Sequence, residues 1–180
     1  ILCNKEENTP EIVEELEKIA PVHVSDVISL QDSLDLINMY GEIFEKQEKS
    51  RILVSALRKA QEDFTKFPKT HKKVAYLIWK DPWMVVGGDT YINSMLELNG
   101  WENVFQNNKS RYPQVDLKDL QSPEIDLILL SSEPFPFKKK HVQEMKKHFK
   151  SSEVKVVDGE FFSWYGSRLA LAFEYFKTLH

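Results

Sequence analysis

The chain has 180 residues, and 42% of them are hydrophobic, which is enough to bury a core and argues against disorder. Its net charge of -4 argues against a general nucleic-acid-binding protein. Cys3 is the only cysteine, so an internal disulfide and a cysteine metal cluster are both excluded. No apolar run reaches the length of a membrane-spanning helix, and no transmembrane segment is expected.

The first 28 residues are predicted to form a strand, a helix and a second strand. The strands are expected at 1–4 and 21–24, and Thr9 and Pro10 are suited to begin the helix between them. This order predicts parallel pairing through a right-handed crossover. Two strands are too few to bury both of their faces. We therefore expect this unit to be the end of a larger α/β lobe, the rest of which would precede Ile1.

Residues 29–68 follow a helical pattern. Ser29 and Ser33 are candidates for the N-terminal cap, and Gly41 is expected to mark a break between a shorter and a longer helix. The longer helix, over about 44–66, would be roughly 30 Å long at 1.5 Å per residue, long enough to join two lobes. Pro68 ends the helical pattern.

The remaining residues, 69–180, alternate predicted strands and helices. Apolar runs at 74–79, 125–130 and 154–157 are typical of buried strands, and Pro123 leads into the second of them. Helices are expected to begin at Asp89 or Thr90, at Lys138 and at Ser167. Such alternation predicts an α/β fold with a mostly parallel sheet and flanking helices.

Large apolar and aromatic side chains follow each of these three strands. They are Trp83 and Met84 after the first strand, Phe135 and Phe137 after the second, and Trp164 and Tyr165 after the third. Loops that follow parallel strands emerge at the same edge of a sheet. The three loops are therefore predicted to line one concavity with few charges, suited to a large, flat, partly apolar ligand. Covering an edge of the core is the alternative for each loop taken singly.

Recognisable catalytic signatures are absent from the sequence. We find no serine elbow, no phosphate-binding loop, no dinucleotide glycine motif and no HExxH motif, and no intrinsic cofactor is expected. His141, Glu144 and His148 share one helix face, but the lysine-rich helix indicates a solvated face rather than a metal site. Asp158 and Glu160 form a carboxylate pair without a nearby nucleophile.

Arg168 falls in the first turn of the last predicted helix, where the helix dipole disfavours a cation. A negative partner is therefore expected. It is either Glu160 or Asp158 in a local ion pair, or an acidic group of the ligand that the guanidinium grips through two hydrogen bonds.

Four segments carry a resemblance to a known family. They are YLIWxxPWM at 76–84, GDTxI at 88–92, LSSEPFPF at 130–137 and DGExFSWYGSR at 158–168, where x marks a position outside the resemblance. Together they resemble the helical-backbone metal-receptor superfamily, and most of all its cobalamin-binding-like group. Members of this superfamily are substrate-binding proteins of ABC importers for cobalamin, haem and iron–siderophores.

The resemblance implies two α/β lobes joined by one long helix, with the ligand held between the lobes. Residues 1–28 would be the end of the N-terminal lobe, 29–68 a helical connector that contains the long helix, and 69–180 the C-terminal lobe. The implied partner is an ABC importer permease. The implied location is periplasmic or otherwise extracytoplasmic, although no signal-peptide pattern is visible in the chain.

The resemblance also implies site residues. Ligand contacts would come from Trp83, Met84, Phe135, Phe137, Trp164 and Tyr165, with Arg168 as a further candidate. In the cobalamin-binding members, the acid that docks to the permease lies in a turn that matches 115–118 here, where Lys118 takes its place. Asp116 or Asp119 is therefore expected to substitute in permease docking.

Three functions remain open on the sequence alone. The first is a binding protein that delivers a corrinoid, haem or a ferric siderophore to an importer. The second is an enzyme that uses or processes such a cofactor, for which the sequence offers no acid–base pair. The third is a purely structural fragment.

Overall fold

The computed structural model describes residues 1–121 and 124–180, so Pro123 and its predicted place before a strand lie outside the described residues. The strands are β1 (Leu2–Asn4), β2 (His23–Ser25), β3 (Lys72–Trp79), β4 (Met84–Val85), β5 (Trp101–Asn103), β6 (Leu127–Ser131) and β7 (Glu153–Val157). The helices are α1 (Pro10–Glu17), α2 (Leu30–Ile43), α3 (Gln47–Thr65), α4 (Tyr91–Leu98), α5 (Lys139–His148), α6 (Glu160–Ser163) and α7 (Leu169–Lys177). Two 3₁₀ turns lie at Asp119–Gln121 and Gly166–Arg168.

The first unit folds as predicted. β1 and β2 pair in parallel, with Leu2 opposite His23, and α1 connects them. The Thr9 hydroxyl accepts a hydrogen bond from the Ile12 amide and Pro10 occupies the first helical turn, so this helix begins where the capping pattern predicts.

The main sheet has the order β4-β3-β6-β7, and β5 also pairs with β3. The pairs β3–β6, β6–β7 and β3–β5 are parallel, whereas β3–β4 is antiparallel. The prediction of a mostly parallel α/β sheet is therefore confirmed. β3, β6 and β7 run side by side, and their carboxyl ends lie at one edge of the sheet.

Two segments that the sequence predicted to be loops contain regular structure. Met84 begins strand β4 and lies opposite Trp79. This pairing is available because β5 covers only Lys72–Val74 and leaves the far end of β3 open on that side. The segment after β7 forms the short helix α6, which buries Phe162 completely and places the residues after it.

The helical segment 29–68 breaks near Gly41, as predicted, into α2 and α3. Ser29 caps α2 by accepting a hydrogen bond from the Asp32 amide. A Cβ atom at Gly41 would collide with the side chain of Ser50 on α3, so the glycine permits the close approach of these two helices.

Hydrophobic clusters cover both faces of the sheet. Side chains of β3 alternate between them: Tyr76 faces the cluster that includes α3, α4 and α7, and Leu77 faces the cluster that includes α5. On the first face, Phe64 of α3 packs on Phe173 of α7 with ring centroids 5.5 Å apart. This double covering holds β3, β6 and β7 rigidly, and so fixes the edge from which their loops emerge.

Candidate functional site

A pocket of about 390 Å³ lies at the carboxyl edge of the sheet, within the size range of small-molecule sites. Its walls come from the loops after β6 and β7, from the start of α4, and from residues that precede α2. The lining residues are Glu6, Glu7, Val27, Ile78, Tyr91, Ile92, Tyr112, Ser131, Glu133, Pro134, Ser163, Trp164 and Tyr165. Parallel α/β sheets bind ligands at this edge.

Trp164 and Tyr165 form the wall that the sequence predicted. The last turn of α6 places them, because the Trp164 amide donates a 2.9 Å hydrogen bond to the carbonyl of Glu160. The Trp164 side chain is 55% exposed, and its indole nitrogen donates to Glu133 Oε1 over 3.0 Å. Tyr165 meets the ring of Tyr91 edge-on, with centroids 5.7 Å apart. The indole therefore presents an uncovered face at the pocket mouth.

A chain of hydrogen bonds orients Glu133. The Ser163 hydroxyl donates to Glu133 Oε1 over 2.7 Å, and the Glu133 amide donates to the Ser131 hydroxyl over 3.4 Å. Ser131 Oγ in turn accepts a 3.1 Å hydrogen bond from Tyr76. Burial raises the pKa of Tyr76, so its hydroxyl stays protonated and donates. Within residues 1–121 and 124–180, no cationic side chain forms an ion pair with Glu133.

Tyr112 connects the pocket to the first residues of the chain. Its hydroxyl donates to Glu6 Oε2 over 2.8 Å, and Arg111 forms an ion pair with the same carboxylate. Burial, followed by the hydrogen bond to Glu6, raises the pKa of Tyr112, so this hydroxyl also remains protonated. Glu6 is thus partly neutralised, and the pair holds this wall of the pocket in place.

Tyr91 is the first residue of α4, which Thr90 caps through a 3.1 Å hydrogen bond to the Asn93 amide. Its side chain is only 4% exposed, and in the described part of the chain its hydroxyl has no hydrogen-bond partner. Burial raises the pKa of Tyr91. Tyr91 therefore lines the pocket with a buried hydroxyl that stays protonated and is unpaired among the described residues.

The other aromatic loop residues lie away from the pocket. Trp79, Trp83, Phe135, Phe137 and His141 form what we call the packed aromatic cluster, on the α5 face of the sheet. The rings of Trp83 and Phe137 stack at 6.2 Å, and Phe137 is 3% exposed. Met84 packs against the hydrophobic cluster on the opposite face.

The prediction that three loops line one concavity is therefore wrong in its geometry. Loops that leave the same edge can project to either face of the sheet, and Phe137 projects toward Met145 of α5 in the core. Trp83 stacks on Phe137 and therefore lies on the same face of the sheet. Contact of Trp83, Met84, Phe135 and Phe137 with a ligand is implied by the resemblance alone, whereas their packing favours a role in the core.

The face of α5 that carries His141 is solvated only in part: His148 is exposed and Glu144 is half-buried, as expected, whereas His141 is buried, contrary to the expectation from the sequence. His141 is 7% exposed, and its Nδ1 accepts a 2.9 Å hydrogen bond from the Lys138 amide. Burial is the main cause that lowers its pKa. Glu144 pairs with Lys80 at 2.6 Å, which lowers the Glu144 pKa. In the described residues, no group of three potential metal ligands converges.

Arg168 forms an ion pair with Glu160, and its guanidinium carbon lies 5.1 Å from the centre of the Phe161 ring. This is the local alternative among the two that the sequence left open. Arg168 does not line the pocket, so its position favours the local ion pair over contact with a ligand.

The predicted docking acids lie on the surface. Asp116, Lys118 and Asp119 are all exposed, and Asp119 Oδ2 accepts a 2.8 Å hydrogen bond from the Asp116 amide. Both carboxylates are accessible to a partner, and their role in docking stays a prediction.

Sequence reasoning missed several pocket residues, chiefly Glu6, Tyr91, Tyr112 and Glu133. Tyr91 had a usable signal, because it follows the Thr90 cap directly after the turn that leaves the sheet edge. Tyr112 and Glu6 are 106 positions apart, so no local pattern could have joined them.

The fold and the pocket together define an α/β ligand-binding protein. The chain matches the family model for periplasmic binding proteins over residues 1–155, and it belongs to this family. The resemblance to the helical-backbone metal-receptor superfamily is thereby confirmed.

Solved structures share this fold. The periplasmic vitamin B12 binding protein of Vibrio cholerae aligns with a TM-score of 0.79 at 15% identity, over 99% of this chain and 72% of its own. The periplasmic heme-binding protein of Roseiflexus sp. RS-1 gives 0.80 at 13%, over 98% and 73%. An ABC-type Fe3+-hydroxamate transport system protein of Saccharomonospora viridis gives 0.72 at 19%, over 98% and 67%.

No match was found among curated proteins. Among the described helices, none combines the length and the apolar character needed to cross a bilayer.

Proposed function

We propose that the chain is the substrate-binding component of an ABC importer for a large metal chelate. The chelate is a cobalamin-like corrinoid, haem or a ferric siderophore. The pocket at the sheet edge supports this proposal most directly. Its lining includes the exposed indole of Trp164 and three tyrosines, and aromatic linings suit a macrocycle or a chelate. Structural neighbours that bind vitamin B12 or haem add support.

The ligand is held between two lobes in this proposal. Residues 1–28 end one lobe, 29–68 connect, and 69–180 form the other. Support comes from the pocket itself, since Glu6, Glu7 and Val27 line one side and Trp164 lines another. The 19 residues of α3 extend about 28 Å, which suits a connector between lobes.

The proposed partner is the importer permease, on the extracytoplasmic side of the membrane. Asp116 and Asp119 are the proposed docking acids, and their exposure supports this. Replacing Asp116 by Lys should weaken binding to permease-containing vesicles while ligand affinity stays constant. A variant that docks normally would remove Asp116 from the docking surface.

The function is tested by titrating the protein with cyanocobalamin, haemin and a ferric trihydroxamate, and by following tryptophan fluorescence. Saturable binding of one chelate with 1:1 stoichiometry is expected. The Trp164→Phe variant identifies the part of the signal that arises at the pocket. Mass spectrometry should recover the chelate unmodified, whereas turnover would favour an enzyme. Absence of saturable binding for all three chelates would contradict the proposal.

A further inference from the structure

The pocket has an asymmetric charge. Among the described residues, three glutamates line it and no lysine, arginine or histidine does. Arg111 offsets the charge of Glu6 from outside the lining. Glu7 and Glu133 have no such ion pair in the described part of the chain. The pocket therefore offers a ligand uncompensated negative charge.

Glu133 is oriented rather than free. Ser163 and Trp164 both donate hydrogen bonds to Oε1, so one oxygen is fixed by neutral neighbours. Ile78 and Pro134 lie beside it in the pocket wall. A ligand that covers these apolar side chains also removes water from the carboxylate, and a dehydrated carboxylate is unfavourable unless it is paired.

The Tyr91 hydroxyl is an independent indication of a ligand. Tyr91 lines the same pocket, its side chain is 96% buried (4% exposed), and its hydroxyl is buried without a hydrogen-bond partner in the described residues. A buried polar atom without a partner is costly, and a polar atom of a bound ligand would relieve this cost.

We infer that the ligand carries a cationic N–H group beside its apolar body, and that this group pairs with the Glu133 carboxylate. A second polar atom of the ligand hydrogen-bonds to the Tyr91 hydroxyl. This inference rests on the proposed function and narrows it. A chelate that presents carboxylates to this wall is repelled by the same glutamates, whereas a chelate with an ammonium group is attracted.

The test uses two ferric trihydroxamates that differ at one position. One ends in a primary ammonium, and in the other this amine is acetylated, which removes the charge and leaves the iron site unchanged. Wild-type protein should bind the ammonium form about tenfold more tightly, the factor expected from one charged hydrogen bond. Affinities are measured by fluorescence titration at low ionic strength.

Glu133→Gln should abolish the preference. Glutamine keeps an oxygen that accepts from Ser163 and Trp164, so the change removes the charge and little else. The matched control is Glu62→Gln on the exposed surface of α3, which should retain the preference. Equal binding of both chelates by wild type, or a preference that persists in Glu133→Gln, would overturn the inference and leave the proposed function standing.

Tyr91→Phe tests the second contact. It should weaken the binding of both chelates several-fold and leave the melting temperature unchanged or higher, because the hydroxyl has no hydrogen-bond partner within residues 1–121 and 124–180. Unchanged affinity would remove Tyr91 from the site. If neither trihydroxamate, cobalamin nor haemin binds to wild type, the proposed function itself fails.

Discussion

Two groups of aromatic side chains follow the same parallel strands and have opposite surroundings. In the packed aromatic cluster, rings cover rings: Phe137 is 3% exposed and lies 4.6 Å from Phe135. At the pocket, Trp164 is 55% exposed, and the Tyr91 hydroxyl is unpaired among the residues that the structure describes. A position after a parallel strand therefore does not identify a ligand wall. The side chains that surround each ring decide whether it packs in the core or faces the pocket.

The two groups also differ in their charged neighbours. Lys80 lies 5.2 Å from the centre of the Trp83 ring and pairs with Glu144, so the cation at the packed aromatic cluster already has partners. At the pocket, the carboxylate of Glu133 has only neutral donors among the described residues. The cation at the cluster is therefore paired, whereas the Glu133 carboxylate at the pocket is without a cationic partner among the described residues.

The largest expected effect is the loss of stability caused by Phe137→Ala in the packed aromatic cluster. Removing this buried ring should lower the free energy of unfolding by about 3–5 kcal/mol, because it leaves a cavity and the side chains around that cavity lose their contacts with the ring. Chelate affinity of the folded fraction should not change. Urea denaturation measures the first quantity and fluorescence titration the second. A stable variant with lost affinity would move Phe137 into the site.

Trp164→Ala should show the reverse pattern at the pocket. The indole is mostly exposed, so the free energy of unfolding should change by less than about 1 kcal/mol. Chelate affinity should fall about tenfold, since a bound ring system loses its stacking partner and the apolar area that it covered. Trp83→Ala is the matched control, expected to lose stability and keep affinity. If Trp83→Ala lost affinity and Trp164→Ala lost stability instead, Trp83 would belong to the ligand site and Trp164 to the core.

Because His141 is buried in the packed aromatic cluster, it should make the stability of the protein depend on pH. Burial first, then the charges of Lys140 and Lys80, lower its pKa in the folded state. The unfolded chain therefore takes up the proton first as the pH falls below about 6.5, and stability decreases from there toward the lower folded pKa. Burial also lowers the pKa of His180, which adds a similar dependence.

His141→Gln should reduce this loss of stability without removing the part due to His180. The measurement is the urea midpoint between pH 5 and pH 8 for both proteins. An unchanged slope in the variant would mean that His141 titrates as it does in the unfolded chain.

The smallest expected effect is that of Arg168→Lys, which tests whether Arg168 contacts the ligand. The ion pair with Glu160 is more than one-third exposed, so its loss should reduce stability by less than about 1 kcal/mol. Affinity should remain unchanged because Arg168 does not line the pocket. A variant with weaker chelate binding and an unaltered melting temperature would assign Arg168 to the ligand.

The sequence predicted features that local chemistry determines. Capping by Thr9 and Ser29 and the break near Gly41 depend on neighbouring residues, and the structure shows all three. The parallel sheet followed from alternating strands and helices. These features need no knowledge of distant contacts.

The candidate site was harder to predict because it depends on which face each loop residue points to. Phe135 and Trp164 follow strands in the same way, yet one packs against α5 and the other lies open at the pocket. The contact between Glu6 and Tyr112 joins distant parts of the chain. Such choices are fixed by three-dimensional packing, which the apolar pattern alone does not encode.

Helix α2 is attached to its surroundings at two separate points. Ser33 Oγ accepts a 3.1 Å hydrogen bond from the Gly166 amide, and Gly41 lies against Ser50. These points are about 12 Å apart along the helix axis, and a rod fixed at two points does not rotate about either. Val27, just before α2, therefore keeps its distance from the opposite wall. A pocket wall held in this way lowers the free energy that binding loses in drawing the walls together.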